Sequence, residues 1–190
     1  MKLNIKDKAA IFPMPVLMIA TYNEDGSVDV MNAAWGCMLN MSQIALNLTE
    51  THKTVENIKR TGAFTVALAD RDHVVEADYF GMVSSHDDPM KFEKSGMHAI
   101  KSEVVDAPII DEFPIVMECK FVEYQDDDLG IGVIGDIVNV QAEEYVLDEE
   151  GKVEASKLNA LVYNSFKRDY YSIGERVAKA FSEGGKIINK

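Results

Sequence analysis

At 190 residues, 47% hydrophobic and 27% charged, the chain has the length and apolar content of a single globular domain. Its net charge of −13 argues against a nucleic-acid or anionic-membrane surface, which needs clustered Lys and Arg. The longest apolar run, "PMPVLMIATY" (13–22), is far short of a membrane span. The charged N-terminus "MKLNIKDKAA" lacks a signal-peptide core, and Cys37 and Cys119 are too few for a secreted disulfide scaffold. A cytoplasmic protein with both thiols reduced, and both cysteines packed as small hydrophobes, is expected.

Strand signals dominate the chain. "VLMIATY" (16–22) is β-rich, "NEDG" (23–26) supplies turn residues, and "SVDVMN" (27–32) follows, so a hairpin is predicted. "QIALNLT" (43–49) and "AFTVALA" (63–69) read as further strands, with "TVENIKRTG" (54–62) a short helix between them that stops at Gly62. "HVVEADYFG" (73–81) reads as a second short helix. "IVMECKFVEY" (115–124) alternates as a strand, and "GIGVIGDIVNVQAEEYVL" (130–147) as a long one whose glycines mark bulges or close backbone approach. Ile173, Val177 and Phe181 fall at i, i+4 and i+8 and predict an amphipathic terminal helix over 170–182. The acidic runs at 126–128 and 148–150 are expected in solvated turns. The pattern predicts one mainly β domain over 1–190, a barrel with helical additions.

Two segments carry residues suited to an anion. Between the strand ending near Thr49 and the helix beginning near Thr54 lie Thr51, His52, Lys53 and Thr54. Helix N-termini expose unpaired N–H groups and partial positive charge, and a Lys with hydroxyls at that place suits a phosphate. The plainer alternative is that Thr51 or Thr54 caps the helix. In "GMVSSHDDPMKFEKSG" (81–96), Ser84, Ser85, His86 and Lys91 again set donors beside a cation, although an ordinary polar loop has the same composition. The chain contains no G-x-S-x-G elbow, Walker loop or helix-opening G-x-G-x-x-G. The four histidines lack metal-ligand spacing.

Then there is "MNAAWGCMLN" (31–40), which puts small residues around the single Trp just past a hairpin turn. Taken with "GSVDVMNAAWGCMLN", "IALNLTETHKTVENIKRTGAFTVALA", "GMVSSHDDPMKFEKSG" and Gly135-Asp136-Ile137, it resembles the flavin reductase-like, FMN-binding split-barrel proteins, particularly the flavoredoxin branch. The resemblance implies a Greek-key-like split β-barrel, a bound FMN and a homodimer whose flavin cleft lies near the subunit boundary. It implies that Asn32, Ala33, Ala34 and Trp35 form a ledge for the flavin ring, which small side chains and a flat indole suit physically. Asn47 and Thr49 would face the ring or ribityl chain. Lys53 and Thr54 would hold the phosphate, Lys91 would add a second cation, and Ser84 and Ser85 would lie in the same loop. Tyr163 and Tyr170, from a tail resembling that of flavoredoxin, would approach the flavin. Many relatives carry a histidine where this chain has Leu129 and Gly130, and that departure weighs on NAD(P)H use. Three readings follow. One is an NAD(P)H-dependent reductase, the second an FMN electron carrier docking to a redox partner protein, and the third a cofactor-free binding module.

Overall fold

The computed structural model describes residues 2–6, 8, 11–125 and 131–188. In chain order the strands are β1 (Met14–Pro15), β2 (Leu17–Tyr22), β3 (Val28–Ala33), β4 (Gly36–Met38) and β5 (Gln43–Leu46). Helix α1 (Lys53–Thr61) and β6 (Ala63–Leu68) follow, then α2 (Val74–Met82) and α3 (Lys91–Ser95). Next come β7 (Ala99–Lys101), β8 (Pro108–Ile110), β9 (Ile115–Gln125) and β10 (Gly132–Ala142). A 3-10 turn (Glu144–Val146), α4 (Ala155–Leu158), β11 (Leu161–Asn164), β12 (Asp169–Ser172) and α5 (Gly185–Ile188) complete the order. Among the described residues no helix is long and apolar enough to cross a membrane.

Seven strands form one antiparallel sheet in the order β3-β2-β6-β9-β10-β5-β4. The two edge strands, β3 and β4, are consecutive in sequence and joined only by Ala34 and Trp35. Two residues span a few ångströms, so the edges must lie side by side and the sheet must curl. The result is a split barrel with Ala34-Trp35 at its seam. Gly36 lets the seam close: a Cβ there would sit 2.5 Å from Leu17 Cδ1 and 2.9 Å from Leu46 Cδ2.

The interior of the curl is filled by Leu17, Ile19, Ile44, Leu46, Phe64, Val66 and Val133, with Val55 and Ile58 of α1 closing one end. The opposite face of β2 (Met18, Ala20), continued by Val16 just before it, packs with Phe80 of α2, Phe92 of α3 and Ile110 of β8. β2 is therefore buried on both faces, which explains its unbroken apolar run. At Gly132, φ is +78° and a Cβ would meet Leu46 O at 2.5 Å, so β5 and β10 approach there as the glycine pattern predicts. The β9–β10 register shifts between Ile134 and Gly135 and again between Ile137 and Asn139.

Three expectations need correction. The helix predicted over 170–182 is absent. Residues 169–172 form β12, with Tyr170 opposite Tyr163 and Tyr171 opposite Val162. Aromatic and β-branched neighbours favour this hairpin, Arg168 makes its turn at φ 61°, and over residues 173–184, before α5, the backbone is irregular, with Val177 and Phe181 exposed. The long strand stops at Ala142, because Val146 turns into a separate small core with Leu158 and Ala160. Cys37 is exposed, while Cys119 is buried as expected. Burial, with the charges of Glu118 and Asp136, pushes the Cys119 thiol up to about 12. Residues 126–130, which hold one acidic run and the Leu129-Gly130 pair, lie outside the described residues.

Candidate functional site

Helix α1 is pinned to the β2–β3 hairpin by polar side chains. Asn57 donates to Thr21 Oγ1 (3.2 Å) and Asn23 Oδ1 (2.8 Å), and Arg60 donates to the Tyr22 carbonyl. Its N-cap, His52, makes no side-chain cap hydrogen bond; its carbonyl accepts from the Val55 and Glu56 amides, which leaves the amides of Lys53 and Thr54 for an external acceptor. They face a cleft of about 230 Å³ between α1 and the loop after α2, lined by Asn32, Thr51, Lys53, Gly81, Ser84 and Asp87 among others. Lys53 is at the mouth, 3.4 Å from Glu56 with its side chain partly exposed. Burial and the nearby Lys91 charge lower the His52 pKa, so its imidazole is neutral at pH 7.

The cleft floor is built on Asp29. Its carboxylate is fully buried and accepts hydrogen bonds from Thr54 Oγ1 (2.5 Å) and Ser85 Oγ. The Lys91 ammonium lies 3.1 Å away with its side chain only 3% exposed. Lys91 also donates to the Val83 carbonyl at 3.3 Å. β3, α1, the loop after α2 and α3 thus meet at one carboxylate.

At the far end of β3, Asn32 Nδ2 donates to the Ala77 carbonyl at 2.8 Å and lies 3.5 Å from the Tyr170 hydroxyl. A carbonyl accepts only, so this contact fixes which end of the Asn32 amide is nitrogen. The Tyr170 hydroxyl donates to Asp78 Oδ1 at 2.9 Å; burial first, then Asp78, pushes its pKa up to about 12. Trp35, Tyr163 and Tyr170 form a run of rings with centroids 6.1 and 5.9 Å apart. Beyond the seam lies a second, mainly apolar cleft of about 500 Å³, lined by Pro13, Ala34, Trp35, Cys37, Leu39 and Asn47 among others.

The residues picked out by sequence therefore divide. Asn32, Lys53, Thr54, Ser84, Ser85 and Lys91 share the polar cleft. Ala34, Trp35 and Asn47 share the apolar one, with Tyr163 against Trp35. Ala33 packs its methyl against the barrel interior, and Thr49 is exposed and lines neither cleft. Asp29 escaped the sequence reading, although the signal was there. It shares a strand face with Met31 and Ala33, so a carboxylate falls where an apolar side chain is expected.

An uncapped helix start, a half-buried Lys53 at the cleft mouth and the Thr51 and Ser84 hydroxyls fit a phosphate monoester, and the flat wall at Trp35 fits an aromatic ring. A curled seven-stranded antiparallel sheet closed at a two-residue seam, with a polar cleft at a helix start beside it, defines a split-barrel class of protein. Residues 9–174 match the family described as "Flavin reductase like domain", and the chain belongs to that family. Flavoredoxin of Desulfovibrio vulgaris (Miyazaki F) is 32% identical, with a TM-score of 0.91 over 97% of this chain and 100% of that one. Flavoredoxin from Methanosarcina acetivorans is 24% identical, with a TM-score of 0.87 over 98% and 99%. An FMN-binding domain of a flavin reductases-like enzyme from Shewanella baltica OS155 is 22% identical, with a TM-score of 0.77 over 87% and 88%. At such identities the last two carry the fold alone.

Proposed function

We propose that this protein binds FMN at the seam of its barrel and works as a redox protein. The observation that carries this reading is that Lys53 and the uncapped α1 N-terminus line a polar cleft whose wall includes Asn32, two residues before the Ala34-Trp35 ledge of the apolar cleft. When bound, FMN supplies hydride or single-electron chemistry. The chain's own residues bind, orient and shield. Lys53, the α1 amides, Thr51 and Ser84 would hold the phosphate, with Lys91 behind them. Asn32, its amide orientation fixed by Ala77, would meet the polar edge of the ligand, and Ala34 and Trp35 would flank the ring with Asn47 and Tyr163 nearby. No side chain is nominated as a general acid or base.

Between the two redox readings, the carrier is better supported. The chain is similar over nearly its whole length to a flavoredoxin, and a net charge of −13 suits docking to a basic redox partner. A second copy of the chain would cover the apolar cleft, whose lining includes the exposed Ile11, Trp35 and Leu39.

The test is the visible spectrum of the purified protein, followed by anaerobic addition of NADH and NADPH and then dithionite. A yellow protein that ignores both nucleotides and bleaches with dithionite is expected. Bleaching by either nucleotide makes the protein a reductase. A colourless protein that takes up no added FMN overturns the flavin reading.

A further inference from the structure

Asp29 changes what its neighbours can offer a ligand. A hydroxyl group has one proton to donate, and an ionised carboxylate only accepts. Thr54 and Ser85 both give their proton to Asp29, so each presents only oxygen lone pairs to the cleft it lines. Lone pairs facing a phosphate oxygen repel it. Lys91, 3.1 Å from the same carboxylate and also bonded to Val83 O, has its charge matched by Asp29. Thr54, Ser85 and Lys91, which the sequence offers as phosphate ligands, are thus committed elsewhere. Lys53 is differently placed. Its partner Glu56 is a solvent-exposed carboxylate 3.4 Å away that also lies near His86, a contact easily exchanged for a ligand.

We infer that Asp29 is a positioning residue that sets the charge and hydrogen-bond polarity of the cleft floor. It fixes Lys91 as its own counter-ion and turns Thr54 and Ser85 into acceptors, so selectivity for a phosphate-bearing ligand rests on Lys53 and the α1 amides. This rests on the proposal that the cleft takes the phosphate of FMN. It assigns the cations opposite roles: Lys53 reads the ligand, and Lys91 holds the floor together.

The test compares FMN with riboflavin, which differs only in the phosphate, by titrating the apo-protein and taking the ratio of dissociation constants. A Lys53→Gln variant should lower the preference for FMN about tenfold, the order expected for one charge-assisted hydrogen bond. Asp29→Asn should raise it about tenfold, because Lys91 is unmasked and a hydroxyl proton released. A purely structural role for Asp29 predicts no such rise. Asp29→Asn/Lys91→Met removes both members of the ion pair, carries the test if the single variant fails to fold, and should keep the wild-type preference within about threefold. A fall in the double variant equal to that in Lys53→Gln, or an unchanged or lowered preference in folded Asp29→Asn, overturns the inference. A wild-type preference near one that Lys53→Gln leaves unmoved overturns the phosphate reading instead.

Discussion

Asp29 and Glu118 are both fully buried on strands of the seven-stranded sheet, yet their surroundings differ in kind. Asp29 faces an ammonium and two hydroxyls at the wall of a cleft. Glu118 has no cation among its described partners. It accepts from Ser102 Oγ, from Asn139 Nδ2 at 2.5 Å and from Gln141 Nε2 at 2.9 Å. Ser102 also accepts from the amides of Val104 and Val105, both at 2.9 Å, so Glu118 ties the β7–β8 excursion to the β9–β10 pair. A charge enclosed in a structural joint can be satisfied by neutral donors. The cleft wall uses a full ion pair, which orders three separate segments and stops Lys91 from acting as a second mobile cation. Burial alone therefore does not tell the two carboxylates apart; the partners and the space beside them do.

The largest expected effect comes from breaking the Asp29 site on one side only. Lys91→Met leaves a buried carboxylate with two hydroxyl donors and no counter-charge, and removing one partner of a buried pair costs about 3–5 kcal/mol. For a domain of this size that is a fall in melting temperature of about 10 °C, measurable by calorimetry on the apo-protein. Glu118→Ala should cost less, about 2 kcal/mol. Asn139 and Gln141 are only partly covered and can turn to water, which leaves Ser102 as the one fully buried donor without an acceptor. Equal losses in the two variants would erase the distinction drawn between the sites.

The two carboxylates also show what the sequence could and could not reveal. Strand positions, helix α1 with its Gly62 stop and the small-residue run at the seam were legible, because each follows from local chemistry: period-two alternation, turn residues, a left-handed stop. The resemblance supplied the family, and the fold agrees. The partners of Asp29 and Glu118 were not legible, because each carboxylate draws them from residues distant in sequence, as in the 29–54–85–91 cluster. Spacing could nominate Lys53 and Lys91 alike as phosphate cations; only the position of Asp29 separates them. The terminal helix was misread because a period of four is satisfied by Ile173, Val177 and Phe181 regardless of whether there is a surface for them to pack on. The strand pairing of Tyr170 and Tyr171 with β11 took the start of that segment.

The smallest effect is a pH dependence that belongs to Glu118. Burial pushes its pKa up, but the hydrogen bonds from Ser102, Gln141 and Asn139 together pull it below the ordinary glutamate value. The folded pKa is depressed relative to the unfolded chain. The linked stability is therefore present in full above the unfolded value of about 4.3 and is lost as pH falls through the lower folded value. Glu118→Gln keeps an acceptor for Ser102 and removes the titration. Its stability should thus be lower than wild type at pH 7 but should decline less steeply between pH 5 and pH 3 (roughly the range of unfolded carboxylates), so that the two urea-unfolding curves converge on acidification. Parallel declines would mean that the three hydrogen bonds only offset burial and leave the folded pKa at its unfolded value. A wild-type decline shallower than that of Glu118→Gln would mean a raised folded pKa, with Glu118 held as a neutral acid.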